Sequence, residues 1–414
     1  MRQMIAMAPA EIAGDDRAIV DEMPRRADVV VVGAGVVGAA CTAEFARAGL
    51  DVCVLDRLGP AAGASSAGEG NLLVSDKMPG PELEFALHSL ALWQRFVERS
   101  EVPLEFETKG GLVVAAGDAS FAALSQLVPE QERLGVRTET VAGDELTGVE
   151  PMLTSGLHGG VRYPQDCQLQ PMLAVRALLT EAARSGTRVV AGAELLGVTR
   201  DHGGHVEGVQ TSRGAISTSQ VVLATGAWSG SLARGFGSRV DVRPRRGHIV
   251  VTEPLPPLVR HKVYEASYVD TVESDDAALL SAAVVEGTGS GPILLGSSRE
   301  LVGWDRNLSM AALAMIARRA TALFPFLRDV RAIRAYLGFR PASPDHLPII
   351  GGDPDVPGLW HATGHEGAGV GLAPGTAELL RALIVGAPPP VDPAPFDPGR
   401  PAVRTSTADI HEGD

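Results

Sequence analysis

The chain has 414 residues with a formal net charge of −14, and 45% of its residues are hydrophobic. Because no basic face is evident that could release counterions from a polyanion, the acidic balance argues against RNA or DNA as a partner. No uncharged apolar run reaches the roughly 18 residues of a membrane span. The three cysteines have neither CxxC nor metal-ligand spacing, so we predict buried free thiols, no metal site and a reducing, cytoplasmic location.

Residues 1–26 are predicted to be a disordered leader. Acidic side chains such as Glu11, Asp15 and Asp16 interrupt any apolar stretch that a signal peptide would need. The apolar run after Arg25-Arg26 fits the first strand of the fold better than an export signal.

Residues 28–56 follow the pattern of a single βαβ unit. Four valines run into Gly33-x-Gly35-x-x-Gly38, a helical segment follows, and a second apolar strand ends at Asp56. The glycines allow a tight turn, close approach to a pyrophosphate and close packing of helix on strand. The helix start attracts phosphates, and Asp56 is placed to bind a ribose diol while repelling a 2′-phosphate. The unit therefore predicts a bound dinucleotide without a 2′-phosphate.

The small and polar residues 57–71 are predicted to wrap a ligand. Pro81 then starts a helix whose apolar side chains recur every three or four residues from Leu83 to Val97, which indicates a core stripe. The next predicted elements are a strand at 110–116, a helix at 121–134 and a strand at 137–141.

Another helix begins at Pro171 and ends at Gly186. Residues 220–228 fit a buried parallel strand that ends in a small-residue turn and returns the chain to the nucleotide-binding half. The strands predicted between them are 187–191, 195–199 and 206–211. From 240 to 302 the pattern is again rich in strands, and a helix is predicted at 308–323.

The last informative block is a glycine-rich turn between a strand and a helix. A strand at Leu359 leads through Gly364-His-Glu-Gly367-Ala-Gly369-Val-Gly371 into the helix. Such a helix start is a second anion-friendly site that faces the ligand. Beyond it, seven prolines between positions 388 and 401 predict an extended tail.

Taken together, four blocks resemble the FAD-dependent D-amino-acid oxidase and glycine oxidase superfamily. They are the βαβ fingerprint, residues 65–71, residues 222–228, and Gly338-Phe-Arg-Pro with the turn at 364–372. The resemblance covers about residues 27–400. Within the superfamily, residues 70–83 and 362–374 are most similar to the catalytic β subunits of proline and hydroxyproline dehydrogenases, opine oxidases and hydrogen cyanide synthase. These proteins oxidise a C–N bond next to a carboxylate.

The resemblance implies an α/β fold in which a Rossmann-type FAD-binding domain is built from discontiguous segments and an antiparallel-sheet substrate domain is inserted between them. The FAD-binding domain is predicted to comprise residues 27–80, 150–235 and 338–386. The substrate domain is predicted to comprise residues 81–149 and 236–337, and residues 387–414 form the predicted Pro-rich tail.

FAD is the cofactor that the resemblance implies. His365 and its neighbour Glu366 lie in the turn beside the flavin, where either could instead cap the helix or face a partner subunit. The residues expected to bind FAD are Gly33, Gly35, Val36, Val37, Gly38, Asp56, Arg57, Ser65, Ser66, Gly70, Asn71, Ala224, Thr225, Gly226, Trp228, Gly364, His365, Gly367, Gly369, Val370, Gly371 and Leu372.

Four side chains are catalytic candidates. Arg340 matches the arginine that holds the substrate carboxylate in glycine and D-amino-acid oxidases, and a guanidinium offers two parallel N–H donors for that purpose. A structural ion pair is the alternative. Tyr264 and Tyr268 fall where the family often has a substrate-side tyrosine, and His248 falls where relatives often carry glutamine. A buried core tyrosine and a structural histidine are the alternatives for these three.

The implied reaction is hydride transfer to flavin N5 from the amine-bearing carbon of a D-amino acid or a secondary-amine amino acid of the hydroxyproline, proline or opine type. We expect a dehydrogenase subunit that passes electrons to a partner subunit or another acceptor. One alternative is a single-chain glycine, sarcosine or D-amino-acid oxidase that uses O₂. A second is a non-catalytic or RNA-modifying flavoprotein. A disulfide reductase is excluded, because the chain has no redox cysteine pair and no second dinucleotide fingerprint.

Overall fold

The structure is a computed structural model, and it describes residues 19–20, 22–267 and 278–405. Its helices are α1 (Val36–Arg47), α2 (Pro81–Arg99), α3 (Asp118–Arg133), α4 (Leu146–Val149), α5 (Pro171–Ala183), α6 (Ser229–Gly235), α7 (Met310–Leu323) and α8 (Gly369–Val385). Its strands are β1 (Val29–Val32), β2 (Val52–Asp56), β3 (Asn71–Leu72), β4 (Gly111–Ala115), β5 (Glu139–Ala142), β6 (Gly159–Tyr163), β7 (Cys167–Gln168), β8 (Arg188–Ala191), β9 (Leu195–Arg200), β10 (Val206–Thr211), β11 (Gly214–Ser217), β12 (Val221–Leu223), β13 (Arg243–Thr252), β14 (Lys262–Glu265), β15 (Leu280–Gly287), β16 (Ile293–Arg299), β17 (Ala332–Ala342), β18 (Ile349–Gly352) and β19 (Leu359–Thr363).

A six-stranded sheet in the order β18-β19-β12-β1-β2-β8 forms the half of the molecule that carries the glycine fingerprint, here called the cofactor half. Its strands are parallel except for β18, which runs antiparallel to β19. All four valines of β1 are buried, as expected for a central parallel strand. Helix α1 packs against α5 and α8, and α2 packs against α8. The βαβ unit and the return strand β12 are where the sequence predicts them.

An eight-stranded sheet, here called the large sheet, has the order β17-β13-β16-β15-β14-β4-β6-β5 and is antiparallel except between β14 and β4. Side chains alternate between its two faces. Tyr264 and Val284 point to one face and join the core shared with the cofactor half. Val263 and Val285 point to the other face and pack with Ile316 of α7. Only the first face can therefore meet a ligand held by the cofactor half.

Two segments lie differently from the predicted domain boundaries. Strand β6, predicted in the FAD-binding domain, pairs with β4 and β5 of the large sheet. Helix α2, predicted in the substrate domain, packs on α8, and its Trp93 indole donates to the carbonyl oxygen of Val370 at 2.8 Å. The apolar stripe of α2 indicated a buried face but not which core it would join. The other boundaries stay a prediction.

The predicted leader is packed where the structure describes it. Ile19 and Arg26 form isolated bridges to Val189 of β8 and Ser217 of β11. Backbone hydrogen bonds to neighbouring strands therefore hold the described end of this segment.

The proline-rich segment 387–405 contains no α-helix, as its composition predicts, but it is not a free tail. It contains two short 3₁₀ turns. The ring of Phe396 packs on that of Phe85 with centroids 4.8 Å apart, and Val403 is buried. These two apolar side chains among the prolines hold the segment against the cofactor half.

Candidate active site

The turn after β1 has almost no space for side chains. Gly33 has a φ of +105°, and a β-carbon there would overlap the carbonyl oxygen of Ala224 at the end of β12. A β-carbon on Gly38 would overlap the carbonyl oxygen of Gly33. At Gly35 the nearest heavy atom to a β-carbon would be Ser65 Oγ, at 3.2 Å. Packing therefore requires Gly33 and Gly38, whereas the bare surface of Gly35 suits the approach of a ligand.

The loop 57–71 is tied to the start of α1. Ser65 is buried, and its Oγ accepts a hydrogen bond from the N–H of Val36 at 2.9 Å. Ser66 instead donates to the carbonyl oxygen of Gly63 at 3.1 Å, near the surface. The two serines that were predicted to bind FAD therefore have different positions. Ser65 lies at the anion-friendly helix start, whereas Ser66 stabilises the loop.

The carboxylate of Asp56 organises two turns at the end of β2. Its Oδ2 accepts from the N–H of Ala34 at 2.9 Å, and its Oδ1 accepts from the N–H groups of Leu58 and Gly59 at 2.8 Å. One side chain therefore fixes both the glycine turn and the first residues of the loop 57–71. A hydrogen bond from Asp56 to a ribose remains a prediction.

The turn after β12 is held by hydroxyl groups. The hydroxyls of Thr225 and Ser229 are 2.9 Å apart, and Thr363 Oγ1 donates to the carbonyl oxygen of Gly226 at 3.0 Å. The second bond joins this turn to β19. The predicted residues at 224–226 therefore lie between Gly33 and the strand that leads to the second glycine-rich turn.

A column of aromatic rings connects the cofactor half to the large sheet. The guanidinium of Arg57 lies 4.6 Å from the ring centroid of Trp228, which stacks on Trp304 with centroids 4.6 Å apart. Trp304 in turn meets the edge of Phe339 at 5.1 Å, next to Arg340. Arg57 and Trp228 were predicted near the cofactor, whereas nothing in the sequence around Trp304 indicated its place in the column.

The start of α8 lies beside the start of α1. A β-carbon on Gly369 would lie 3.9 Å from Val37 Cγ2, and one on Gly371 would lie 3.5 Å from the carbonyl oxygen of Asn71. A small cavity lies between Asn71, Gly367 and Gly371. Each helix start carries a partial positive charge, so the starts of α1 and α8 together give two partial positive charges beside this cavity. The geometry suits a ligand with phosphates at one end and an electron-rich ring at the other.

Within the turn at 364–372, His365 and Glu366 have structural partners. The Nε2 atom of His365 is 2.9 Å from Thr376 Oγ1, and burial lowers the pKa of the imidazole to about 3, so the ring is neutral. Glu366, with a φ of +46°, accepts hydrogen bonds from Arg245 at 3.2 Å and His346 at 3.0 Å. The backbone at Glu366 is strained, and these contacts hold it. The shape of the turn therefore depends on Glu366, while the ring of His365 packs inside the protein.

Arg340 lies on the face of the large sheet that meets the cofactor half. Its Nη1 donates to the carbonyl oxygen of Ser298 in β16 at 2.9 Å. A β-carbon on Gly247 of β13 would overlap the guanidinium, and one on Gly367 would lie 3.8 Å from Nε. The side chain thus extends from the large sheet to the turn before α8.

The loop 57–71 rests on glycines of the same face. A β-carbon on Gly338 of β17 would lie 2.9 Å from Ala67 Cβ, and one on Gly296 of β16 would lie 2.5 Å from Glu69 Oε1. With Gly247, three adjacent strands therefore present glycine where the loop and Arg340 lie. The candidate site is bounded by this glycine face, the loop and the start of α8.

A buried group of charged side chains lies beside Asn71 and was not predicted. Lys262 Nζ donates to Glu69 Oε2 at 2.9 Å, to Glu286 Oε2 at 2.8 Å and to Asn71 Oδ1. Burial alone would raise the pKa of Glu69, but the ion pair and hydrogen bond with Lys262 outweigh it and lower the pKa. Lys262 and Glu286 occur within otherwise apolar strands, and charged residues at such positions are the signal that sequence reasoning missed.

Tyr336 is a further unpredicted residue on this face. It lies two positions before Gly338 in β17, so its side chain is on the same side of the sheet. Burial, with the charges of Glu69 and Glu286, raises the pKa of its hydroxyl to about 12. The phenol therefore stays protonated next to the carboxylates.

Tyr264 belongs to an interior network. It is fully buried, and its hydroxyl donates to Ser75 Oγ, which donates to Asp166. Burial raises the pKa of Asp166 to about 7, although hydrogen bonds from Ser75 and from the N–H of Val74 oppose the rise. This placement favours the core alternative for Tyr264. Tyr268, the other predicted tyrosine, lies outside the described residues.

His248 is fully buried and braces the strand that Arg340 contacts. Its Nδ1 is 3.0 Å from Ser298 Oγ, and its Nε2 accepts from the N–H of Ser309 at 3.1 Å. Burial and the charge of Arg246 lower its pKa, so the ring is neutral. Since protein groups occupy both ring nitrogens, the geometry favours the structural alternative for His248.

The sequence profile of one protein family matches residues 28–383, and the description of this family is FAD dependent oxidoreductase (DAO). The chain belongs to the DAO family of FAD-dependent oxidoreductases. Two relatives are similar over most of its length. Glycine oxidase of Pseudomonas aeruginosa is 32% identical over 385 residues, which cover 89% of this chain and 98% of the relative. The hydrogen cyanide synthase subunit HcnC of the same organism is 28% identical over 416 residues, which cover 90% of this chain and 96% of the relative.

Solved structures of this kind share the fold. Glycine oxidase from Geobacillus kaustophilus superposes with a TM-score of 0.82 at 26% identity and covers 91% of this chain and 99% of its own. L-proline dehydrogenase from P. horikoshii has the same TM-score at 22% identity, with 91% and 98% covered. The predicted family, α/β fold class and enzyme class are confirmed.

FAD, the predicted cofactor, is the cofactor of the DAO family, and the residues present fit it. The bare backbone at Gly35 and the two neighbouring helix starts leave backbone N–H groups accessible where a dinucleotide would lie. The three cysteines are buried free thiols. Within the described residues no helix is long and apolar enough to cross a membrane, and no group of ligating side chains could hold a metal ion.

Proposed function

We propose that this FAD-dependent oxidoreductase oxidises the C–N bond of a small amino acid whose amine lies next to its carboxylate. The substrate is a D-amino acid or a secondary-amine acid of the hydroxyproline, proline or opine type. The observation that carries the proposal is the position of Arg340, whose guanidinium lies between Ser298 of the large sheet and Gly367 of the turn before α8. The names of the relatives, glycine oxidase and hydrogen cyanide synthase subunit HcnC, support an amino-acid substrate.

The residues around Arg340 determine how a substrate would be held. Arg340 binds the carboxylate through two N–H donors and so fixes both its position and its direction. Gly35, Ser65, Asn71 and the start of α8 hold the cofactor. FAD, when bound there, would supply the acceptor for the hydride of the amine-bearing carbon. The loop 57–71 and the glycine face exclude water from that carbon during the transfer. After its release, the imine product is hydrolysed to a keto acid or remains a cyclic imine.

We also propose that the electrons pass to a partner subunit or another acceptor rather than to O₂. The glycine oxidase relative, which aligns over 98% of its own length, favours the second candidate, a single-chain oxidase. Stoichiometric peroxide from the purified chain would support the oxidase. Reduction of dyes without peroxide would support the dehydrogenase.

The substrate class is tested by anaerobic reduction of the bound flavin. The purified holoenzyme is mixed with D-amino acids, proline, hydroxyproline, sarcosine and opines, and flavin absorbance near its visible maximum is followed. We expect bleaching by one group of amines that carry a carboxylate and none by the same amines without it. Bleaching by no amino acid would contradict the proposal.

A further inference from the structure

Glu69 has one carboxylate oxygen that is unpaired among the residues the structure describes. Its Oε2 accepts hydrogen bonds from Lys262 at 2.9 Å and from Asn71 Nδ2 at 2.8 Å. Within the part of the chain that the structure describes, no donor reaches Oε1. The side chain is only 6% exposed, and Oε1 lies against Gly296. Buried acceptors are almost always hydrogen-bonded, so an unpaired carboxylate oxygen beside a substrate site points to a donor on the ligand.

Two carboxylates and one ammonium group make up the charged group at Glu69. Glu69 and Glu286 share the ammonium group of Lys262. The neighbouring pair of Lys109 and Glu107, 3.3 Å apart, adds no net charge. The guanidinium of Arg340 supplies the second positive charge that acts on Glu69. When Arg340 binds a substrate carboxylate, a cationic group on the same ligand keeps the charges balanced.

Glu69 and Arg340 both lie against the glycine face of the large sheet, over neighbouring strands. The guanidinium lies over Gly247 of β13 and Oε1 lies over Gly296 of the adjacent strand β16. A β-carbon on Gly296 would also lie 3.3 Å from Ile249 Cδ1, and Ile249 is two residues from Gly247, on the same side of β13. The charge of Arg340 also contributes to lowering the pKa of Glu69. A positive and a negative group therefore lie near each other on the face that meets the cofactor half.

We propose that Glu69 Oε1 binds the protonated amine of the substrate while Arg340 binds its carboxylate, so that the enzyme captures its amino acid as the zwitterion. Glu69 Oε1 then accepts the ammonium proton, and the neutral amine is the form that loses the hydride. This inference rests on the proposed function and adds to it the charge state of the bound substrate. Lys262 is a positioning residue, because it holds Oε2 and directs Oε1 toward the ligand. Hydroxy acids and N-acyl amino acids, which lack a cationic amine, are then poor ligands.

The test compares a ligand with its isostere that lacks the amine. D-proline and cyclopentanecarboxylate form one such pair, and alanine and propionate form an acyclic pair. Affinities are measured by titration calorimetry on dithionite-reduced holoenzyme, in which no turnover occurs. In Glu69→Gln we expect the amino acid to bind about 10-fold or more weakly, because a charge-assisted hydrogen bond is lost, and the isostere to change less than about twofold. Arg340→Ala should weaken both ligands.

Glu286→Gln is the matched control, because it removes the other carboxylate on Lys262. It should not change the ratio of the two affinities as Glu69→Gln does. If Glu69→Gln does not fold, Glu69→Asp keeps the charge and draws the carboxylate back from Gly296, and it should still weaken the amino acid selectively. Equal losses for both ligands, or no loss for the amino acid, would overturn the inference. Failure of the proposed function has a separate signature, since wild-type flavin would then be bleached by no amino acid.

Discussion

The side chain of Arg340 lies over Gly247, with its guanidinium where a β-carbon at position 247 would be. The pairing of β13 with β17 sets Gly247 opposite Gly338, two residues from Arg340, so the side chain leans along the sheet toward Ser298. A missing side chain in one strand therefore fixes the direction of the arginine in the next.

Gly247→Ala should move Arg340 without removing it. The added methyl group displaces the guanidinium, and a misplaced binding group of this kind can reduce kcat/KM by about 10- to 100-fold. The measurement is steady-state kinetics together with the ratio of bound FAD to protein, which should not change. Gly197→Ala is the control, because no atom lies within 4 Å of its β-carbon position in β9. Equal kinetics in the two variants would show that Gly247 does not determine where Arg340 lies.

Arg340→Ala should raise the substrate KM strongly and leave FAD bound, because the carboxylate loses both N–H donors. Arg340→Lys keeps the charge but not the paired donors, so its KM should lie between those of wild type and Arg340→Ala. Both are checked by kinetics and by the flavin content of the purified protein. If KM is unchanged in Arg340→Ala, the residue does not belong to the substrate site.

Gly35→Ala separates cofactor binding from folding. A β-carbon at Gly35 approaches Ser65 Oγ at 3.2 Å, a contact that small shifts relieve, so the apoprotein should unfold at a urea concentration close to that of wild type. FAD affinity, measured by quenching of flavin fluorescence, should fall because the backbone can no longer approach the pyrophosphate. Gly38→Ala is the comparison variant. Its β-carbon would overlap the carbonyl oxygen of Gly33, so this substitution should destabilise the apoprotein itself. Normal FAD affinity in Gly35→Ala would place the pyrophosphate elsewhere.

Asp166 should make stability depend on pH. Its pKa is raised from 3.8 to about 7 in the folded protein, so between these values the unfolded chain ionises first and the folded state loses relative stability as pH rises. Asp166→Asn removes this ionisation. The free energy of unfolding of wild type minus that of the variant should therefore fall by about 2–4 kcal/mol between pH 4 and pH 8, measured by urea denaturation of the holoenzyme.

Asp144→Asn serves as the control for Asp166, because its side chain is exposed. Its difference from wild type should stay nearly constant over the same pH range. A constant difference for Asp166→Asn as well would mean that this carboxyl group has an ordinary pKa.

The parts of the site that follow from local sequence were predictable. Gly33 and Gly38 act within one βαβ unit, and a short motif predicts Arg340 as the residue that binds the carboxylate, which stays a prediction. The group around Lys262 was not found, because Glu69 and Glu286 reach that ammonium from segments far apart in the chain and meet only through the large sheet. Tyr264 and His248 were chosen by position along the strands, and their burial depends on packing that periodicity alone does not give.

Strand β6 shows the same limit for the fold. Its sequence, Gly-Gly-Val-Arg-Tyr, does not indicate which sheet the strand joins, and only the pairing with β4 and β5 decides its place. The tail 387–405 is a related case: its prolines excluded an α-helix, but the contact of Phe396 with Phe85 could not be inferred from composition.

The strand order of the cofactor half has a consequence for biosynthesis. β1 must pair with β12, and β12 with β19, so the sheet joins segments near residues 30, 222 and 361. Such distant pairings are slow to form, and a chain emerging from the ribosome presents its first segment long before the last. The contact of Ala224 with Gly33, and the helix start at Gly369, exist only after the chain has been synthesised past residue 369. FAD capture therefore follows synthesis of the segment that contains α8, more than 300 residues after the glycine fingerprint.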